Sequence, residues 1–189
     1  MHIVVTVKQV PDLVDEIEFN ADGTDIDRDA VKHQLSEWDD QALEEALLLK
    51  EATGGQVTAV AIDGGDADQI LFTALAKGAD RAVKVTGDFP PRMDHHSMAQ
   101  VLAEAVKQLD PNVILTGVQS VEDLDGQVPV LLAGVLGLPH VSVVTGVEAS
   151  GGAVSVKQEY AGGVMAELQV ALPAVIGVQA ARQAPRYAP

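Results

Sequence analysis

A doubly wound, mainly parallel α/β sheet is the fold class this chain predicts, and three observations carry that expectation. Ile3–Val10, Val57–Ile62 and Val113–Leu115 are apolar, β-branched runs without the alternation of a half-exposed strand, as strands covered on both faces read. Segments at helical spacing lie between these runs. The runs at 57–62 and 113–115 lead into glycine-containing polar loops, which is how a parallel sheet turns from strand to helix.

Taken in order, Ile3 to Val10 forms the first strand, with Lys8 near its carboxyl end. Residues 11–35 hold Pro11, Asn20-Ala21-Asp22-Gly23 and Glu16-Ile17-Glu18-Phe19, so a short β-hairpin excursion outside the main sheet is expected. Ser36-Glu37-Trp38-Asp39 reads as a capping box, with Leu43, Ala46, Leu47 and Lys50 at helical spacing and Thr53-Gly54-Gly55 as the stop. Val57–Ile62 is the second strand, followed by a helix from a cap at Asp66 to Ala76, closed by Gly78 in the left-handed conformation. Arg81–Val85, His96–Leu109 and Val113–Leu115 supply the next strand, helix and strand. Pro129 is tolerated only in a first helical turn, which starts the next helix near Gly126 and runs it to Leu136. From His140 onward Val141–Val147, Ala153–Glu159 and Leu168–Val178 predict a β-rich, hairpin-like C-terminal edge. The expected organisation is one nucleotide-binding domain over residues 1–178 and an extended tail over 179–189, either disordered or laid on a partner.

Composition narrows the function. A hydrophobic fraction of 47% argues for an ordered core, so the formal net charge of -16 belongs to the surface and not to disorder. That charge disfavours nucleic acid and anionic lipid, which are bound by neutralising phosphates with Lys and Arg. Without cysteine there is no disulfide, thiolate metal site or thiol nucleophile, which fits a cytoplasmic protein. Met1-His2-Ile3-Val4-Val5 reads as a strand and not a signal peptide, and no apolar run approaches the roughly 18 residues of a transmembrane segment. At 3% aromatic residues, an aromatic stacking platform is disfavoured.

The P-loop and Gly-x-Gly-x-x-Gly fingerprints are both absent. What remains is convergence: the ends of three strands, at Thr6-Val7-Lys8, Ile62-Asp63-Gly64 and Gly117 to Gln127, face one crevice in a sheet of this kind, where nucleotides bind. The last loop offers backbone N–H groups at a helix start for phosphate, and Ser, Asp and Gln side chains for ribose and base. A bulky residue at Gly126 is expected to block that approach while leaving the fold intact. Glu122, Asp123 and Asp125 oppose phosphate, with no Lys or Arg clamp beside them in sequence. They read as a solvated acidic loop with Asp125 near the helix cap; the alternative is a divalent metal site for a nucleotide-hydrolysing or nucleotide-transferring enzyme. A nucleotide-sensing module is a further alternative. His95-His96 reads as solvated, since adjacent residues point apart and no spaced ligand accompanies them.

Several segments in fixed order resemble the beta subunit of electron-transfer flavoproteins. They include Val7-Lys8-Gln9-Val10-Pro11-Asp12, Val31-Lys32-His33, Thr73-Ala74-Leu75-Ala76-Lys77-Gly78-Ala79-Asp80-Arg81, Gly117-Val118-Gln119-Ser120, Leu172-Pro173-Ala174-Val175 and Pro185-Arg186-Tyr187-Ala188. The resemblance implies a Rossmann-like small subunit of a heterodimer that passes electrons between dehydrogenases and an acceptor, including a membrane-linked one, with no substrate chemistry of its own. It implies that FAD is shared with or held by a partner alpha subunit. AMP, or in bifurcating relatives a second FAD, then lies in this subunit's crevice. Carried over by position, the cofactor-binding residues are Thr6, Ser36, Glu37, Trp38, Asp39 and Ile62, with the loop Gly117, Val118, Gln119, Ser120, Val121, Glu122, Asp123, Leu124, Asp125, Gly126, Gln127 and Val128.

Departures from the family pattern are local. Where AMP-binding members read Asp-Asp-Asp-x-Asn-Gln-Thr-Gly, this chain reads Glu122-Asp123-Leu124-Asp125-Gly126-Gln127-Val128-Pro129. Gln158 and Ala161 stand where a basic residue and an Asp are usual. Family chains continue past the position of Pro189 toward dehydrogenase recognition, so either altered docking or contacts supplied from elsewhere are expected.

Overall fold

The computed structural model describes residues 1–14, 16–28, 30–90 and 93–188. Its centre is a sheet in the order β5 (Arg81–Val85), β4 (Gln56–Ile62), β1 (His2–Thr6), β6 (Val113–Gly117), β10 (Ala174–Val178), β7 (His140–Ser150), β8 (Ala153–Tyr160), β9 (Val164–Ala171). The first six run parallel, and β8 and β9 continue the sheet antiparallel. Helices α1 (Glu37–Thr53) and α2 (Ala67–Lys77) cover one face; α3 (His95–Leu109) and α4 (Gln127–Leu136) cover the other. Strand residues divide between the faces by parity: Ile3 and Val5 pack in the α1/α2 core, whereas Val4 packs in the α3/α4 core. Both sets are fully buried, which is why the strands read as continuous apolar runs.

The chain builds outward from β1 to β4 and β5, then crosses to β6 on the other side. That reversal leaves a crevice at the carboxyl ends of β1 and β6, the place where an open α/β sheet admits a ligand.

Five local expectations are corrected. The run at 3–10 is not one strand: β1 leaves the sheet at Thr6, and β2 (Gln9–Pro11) pairs instead with β3 (His33–Leu35), closing the base of the excursion. Within that excursion Phe19 bridges Ile26 around a turn held by the Asn20 and Asp22 side chains. The run at 168–178 is likewise two strands: Pro173 separates exposed, alternating β9 from β10, which is buried throughout and inserts between β6 and β7. Ser36 makes no side-chain cap to α1, and Asp66 makes none to α2. Gly78 closes α2 at φ 122°, ψ 11°, a positive φ outside the left-handed helical region. Apart from these corrections, the described tail lies against its own chain: Arg182 and Arg186 reach back to Glu45 and Glu44 of α1.

Candidate functional site

A cavity of about 800 Å³ opens at the ends of β1, β4 and β6. The three strand ends expected to converge do so there: Thr6, Ile62 and Gly117 all line it. Asp39, at the start of α1, is the structural link between them. Its carboxylate accepts from Lys8 N–H at 2.8 Å and Gly117 N–H at 3.0 Å, so one side chain ties α1 to the β1 and β6 ends where the sheet divides. The side chain expected to close a capping box thus bridges strands. Burial pushes the Asp39 carboxyl up to about 7, against the opposing pull of those two N–H groups and of Lys8. Gly117 makes the approach possible, since a Cβ there would lie 2.6 Å from Asp39 Oδ1 and 2.8 Å from the Asp39 nitrogen.

The acidic loop 120–127 is organised at Ser120–Asp123, while Leu124 and Asp125 stay exposed as expected. Ser120 and Asp123 form a small backbone bridge, and Asp123 is buried with its carboxylate accepting from Gln127 N–H at 3.3 Å and Val128 N–H at 3.4 Å. Asp123, not Asp125, therefore satisfies the N-terminus of α4. Glu122 is clamped by Lys8 Nζ at 2.9 Å and Arg28 Nη2 at 3.3 Å. Burial opposes its charge, but the two cations outweigh burial and hold the carboxyl below its ordinary range. The repulsion of phosphate read in the sequence is largely quenched: one carboxylate is neutralised, one faces a helix start, and Asp125 does not line the cavity.

Half of the residues singled out in the sequence reach the cavity wall. Gln119, Ser120, Glu122, Asp123 and Val128 line it together with Thr6, Asp39, Ile62 and Gly117. Ser36, Glu37, Trp38, Val118, Val121, Leu124, Asp125, Gly126 and Gln127 do not. Gly126 sits behind the loop at φ +62°, where a Cβ would meet Val118 O at 2.6 Å. A large side chain there distorts the loop itself, so it is no clean test of ligand approach. His95, read as solvated, instead lines the cavity with Nε2 3.6 Å from Asp123 Oδ1. Arg28 and Phe89 line it too, and neither carries a local sequence signal, because Arg28 arrives from the excursion and Phe89 from the loop after β5.

Two chemical features of the wall suit a nucleotide. Ser120 Oγ is buried and has no hydrogen-bond partner among the described residues, so it is available to a ligand hydroxyl or phosphate. Lys8 and Arg28 place positive charge at the cavity in a chain of net charge -16. A carboxylate pair for metal chemistry is not assembled: Asp123 is engaged with α4 and Asp125 lies off the wall.

Comparison with known proteins agrees with this architecture. The electron transfer flavoprotein domain family matches residues 24–188. The chain belongs to the electron transfer flavoprotein family. It is 35% identical to the electron transfer flavoprotein subunit beta of Methylophilus methylotrophus, over 100% of this chain and 73% of that protein. It is 38% identical to the subunit beta of Syntrophomonas wolfei, over 99% and 73%, and 32% identical to that of Homo sapiens, over 100% and 74%. Among the described residues, no helix is long and apolar enough to cross a membrane.

Proposed function

We propose that this chain is the nucleotide-holding small subunit of a two-subunit electron transfer flavoprotein. It pairs with a larger alpha subunit that carries or shares FAD, and the complex passes electrons between dehydrogenases and an acceptor. An adenine nucleotide, AMP or the adenosine end of a second FAD, lies in the crevice between β1, β4 and β6. Ser120 Oγ carries the reading: a buried hydroxyl without a partner among the described residues, in a polar cavity at the sheet's reversal point, calls for a hydrogen-bonding ligand.

The side chains suit binding rather than turnover. Thr6, Gln119 and Ser120 offer groups for ribose and base, Ile62, Val128 and Phe89 offer apolar surface, and Asp39 fixes the spacing of the strand ends. FAD supplies the redox chemistry; the protein binds it, orients it and excludes water from it. Phe89 is the only Phe, Tyr or Trp lining this cavity among the described residues, so enclosure of a flavin ring is assigned to the subunit interface.

Mass spectrometry of small molecules released from the purified two-subunit complex tests the assignment. One adenine nucleotide per chain beyond the FAD of the larger subunit is expected, and its absence would remove the reading. An absorption spectrum of the chain purified alone separates the two ligands: a colourless preparation supports AMP, whereas stoichiometric bound FAD selects the second-flavin form.

A further inference from the structure

We infer that Lys8 and Arg28 form a phosphate subsite in the crevice, for which the Glu122 carboxylate and the phosphate of a bound nucleotide compete. The inference rests on the nucleotide reading above and assigns that ligand's charged end. Helix α4 is the obvious phosphate receiver, but its first N–H groups are already engaged: Gln127 and Val128 both donate to Asp123. Positive charge at the cavity instead comes from β1's end and from the excursion, through Lys8 and Arg28.

These two side chains share one carboxylate, with Lys8 Nζ 2.9 Å from Glu122 Oε2 and Arg28 Nη2 3.3 Å from Oε1. Donors outnumber acceptors. An ammonium carries three N–H groups and a guanidinium five, and buried Arg28 Nε has no hydrogen-bond partner among the described residues, with Asp25 Oδ2 at 3.9 Å. A phosphate offers three oxygens in a geometry that suits an arginine fork and a lysine together. All three side chains retain about a quarter to a third of their exposure, so a ligand can reach them. Glu122 and Arg28 both lie outside regular helices and strands, which lets the pair separate without breaking a helix or the sheet. Because Lys8 and Arg28 hold Glu122 charged, it is an effective competitor over the neutral pH range.

Calorimetric titration of the full chain with AMP, adenosine and inorganic phosphate tests this. In the unsubstituted chain AMP should bind more tightly than adenosine, and inorganic phosphate should weaken AMP but not adenosine. Lys8→Gln and Arg28→Gln should each weaken AMP roughly three- to tenfold, leaving adenosine unchanged. Glu122→Gln should tighten AMP by a similar factor, and circular dichroism confirms that each variant is folded. An unchanged ratio of AMP to adenosine affinity in both cation variants, or weaker AMP binding in Glu122→Gln, would overturn the subsite alone. Failure of both AMP and adenosine to bind the unsubstituted chain would overturn the nucleotide reading, and the subsite with it.

Discussion

Asp39 shows how one side chain can define a site through contacts that its local motif does not reveal. It is 7% exposed, and its two oxygens each take a backbone N–H from a different strand end. A carboxyl whose folded pKa lies near 7, above its ordinary 3.8, binds more protons folded than unfolded between those values. Its contribution therefore favours the fold at low pH and erodes as pH rises from about 4 to about 7. Glu44 and Glu122 act oppositely, since both are held below 4.5 and their stabilisation is lost as pH falls through that lower range. Asp39→Asn should flatten the pH dependence of stability between pH 4 and 7, as read by urea denaturation. The amide NH2 cannot accept, whereas the hydroxyl oxygen of a protonated carboxyl keeps a lone pair, so the variant should also lose about 1–3 kcal/mol at pH 5. An unaltered pH profile would mean that Asp39 does not titrate in this window. Gly117 is the counterpart: Gly117→Ala drives a Cβ into Asp39 and into the Trp38 carbonyl carbon at 2.8 Å. The expected cost is about 1–3 kcal/mol, with loss of the proposed nucleotide, because the clash lies at the junction of β6 and α1.

At the scale of elements, the tail and α1 form a unit that alternation and helical period do not reveal. Glu45 is fully buried, yet it accepts from Val147 N–H at 2.7 Å, Arg182 N–H at 3.0 Å and Arg182 Nε at 2.8 Å, joining α1, β7 and the tail. Glu44 does the same for Arg186, whose fork contacts it at 2.8 and 2.9 Å. Arg182→Ala removes the cation beside a buried carboxylate and should cost about 2–3 kcal/mol, below the full value for a buried pair because Arg182 is partly exposed. The double variant Glu45→Gln, Arg182→Met should recover most of that loss in the same denaturation assay; no recovery would mean that the backbone contacts, not the charge, hold the tail. The same elements show what was readable in advance. The parallel strands and α1 to α4 were legible because burial on two faces and helical period leave local patterns, and the convergence of three strand ends followed from fold class. The partners that complete the site were not: Lys8 lies 31 residues from Asp39, Gly117 lies 78 from it, and Arg28 lies 94 from Glu122. A long polar pairing leaves no periodic trace, so Glu122 looked unclamped. Strand β10 was hidden differently, because β9 and β10 are both apolar and abut in sequence, and only Pro173 marks the break.

Across the whole molecule, the charge and the exposed apolar residues have different jobs. The formal net charge of -16 lies largely on the surface, where it opposes contact with polyanions. Large apolar side chains nevertheless face outward in several places, and two of them gather three or more: Leu13, Val14, Ile17 and Phe19 on the excursion, and Tyr160, Val164 and Met165 on the outer β8–β9 pair. Val14 is 92% exposed and Phe19 70%. Neither side chain supports the fold, so replacing them should leave the melting temperature within a few degrees. Apolar residues gathered on an excursion outside the core are what a second subunit would cover, and buried aromatic anchors dominate the energetics of such contacts. If the proposed larger subunit seats on the excursion, Val14→Ser with Phe19→Ser should weaken the complex by tenfold or more, at roughly 1.4 kcal/mol per tenfold. Val164→Ser with Met165→Ser provides the comparison on β9. Analytical ultracentrifugation of each variant with the larger subunit reads both: loss of association only in the β9 variant would move the interface to β8–β9, and undiminished association in both would leave the excursion and the β8–β9 pair outside it. The excursion also carries Arg28, so its displacement by a partner would alter the clamp on Glu122. Binding of the larger subunit and binding of nucleotide should then be coupled, with AMP affinity measured in the complex differing from that of the chain alone and the excursion variants losing that difference.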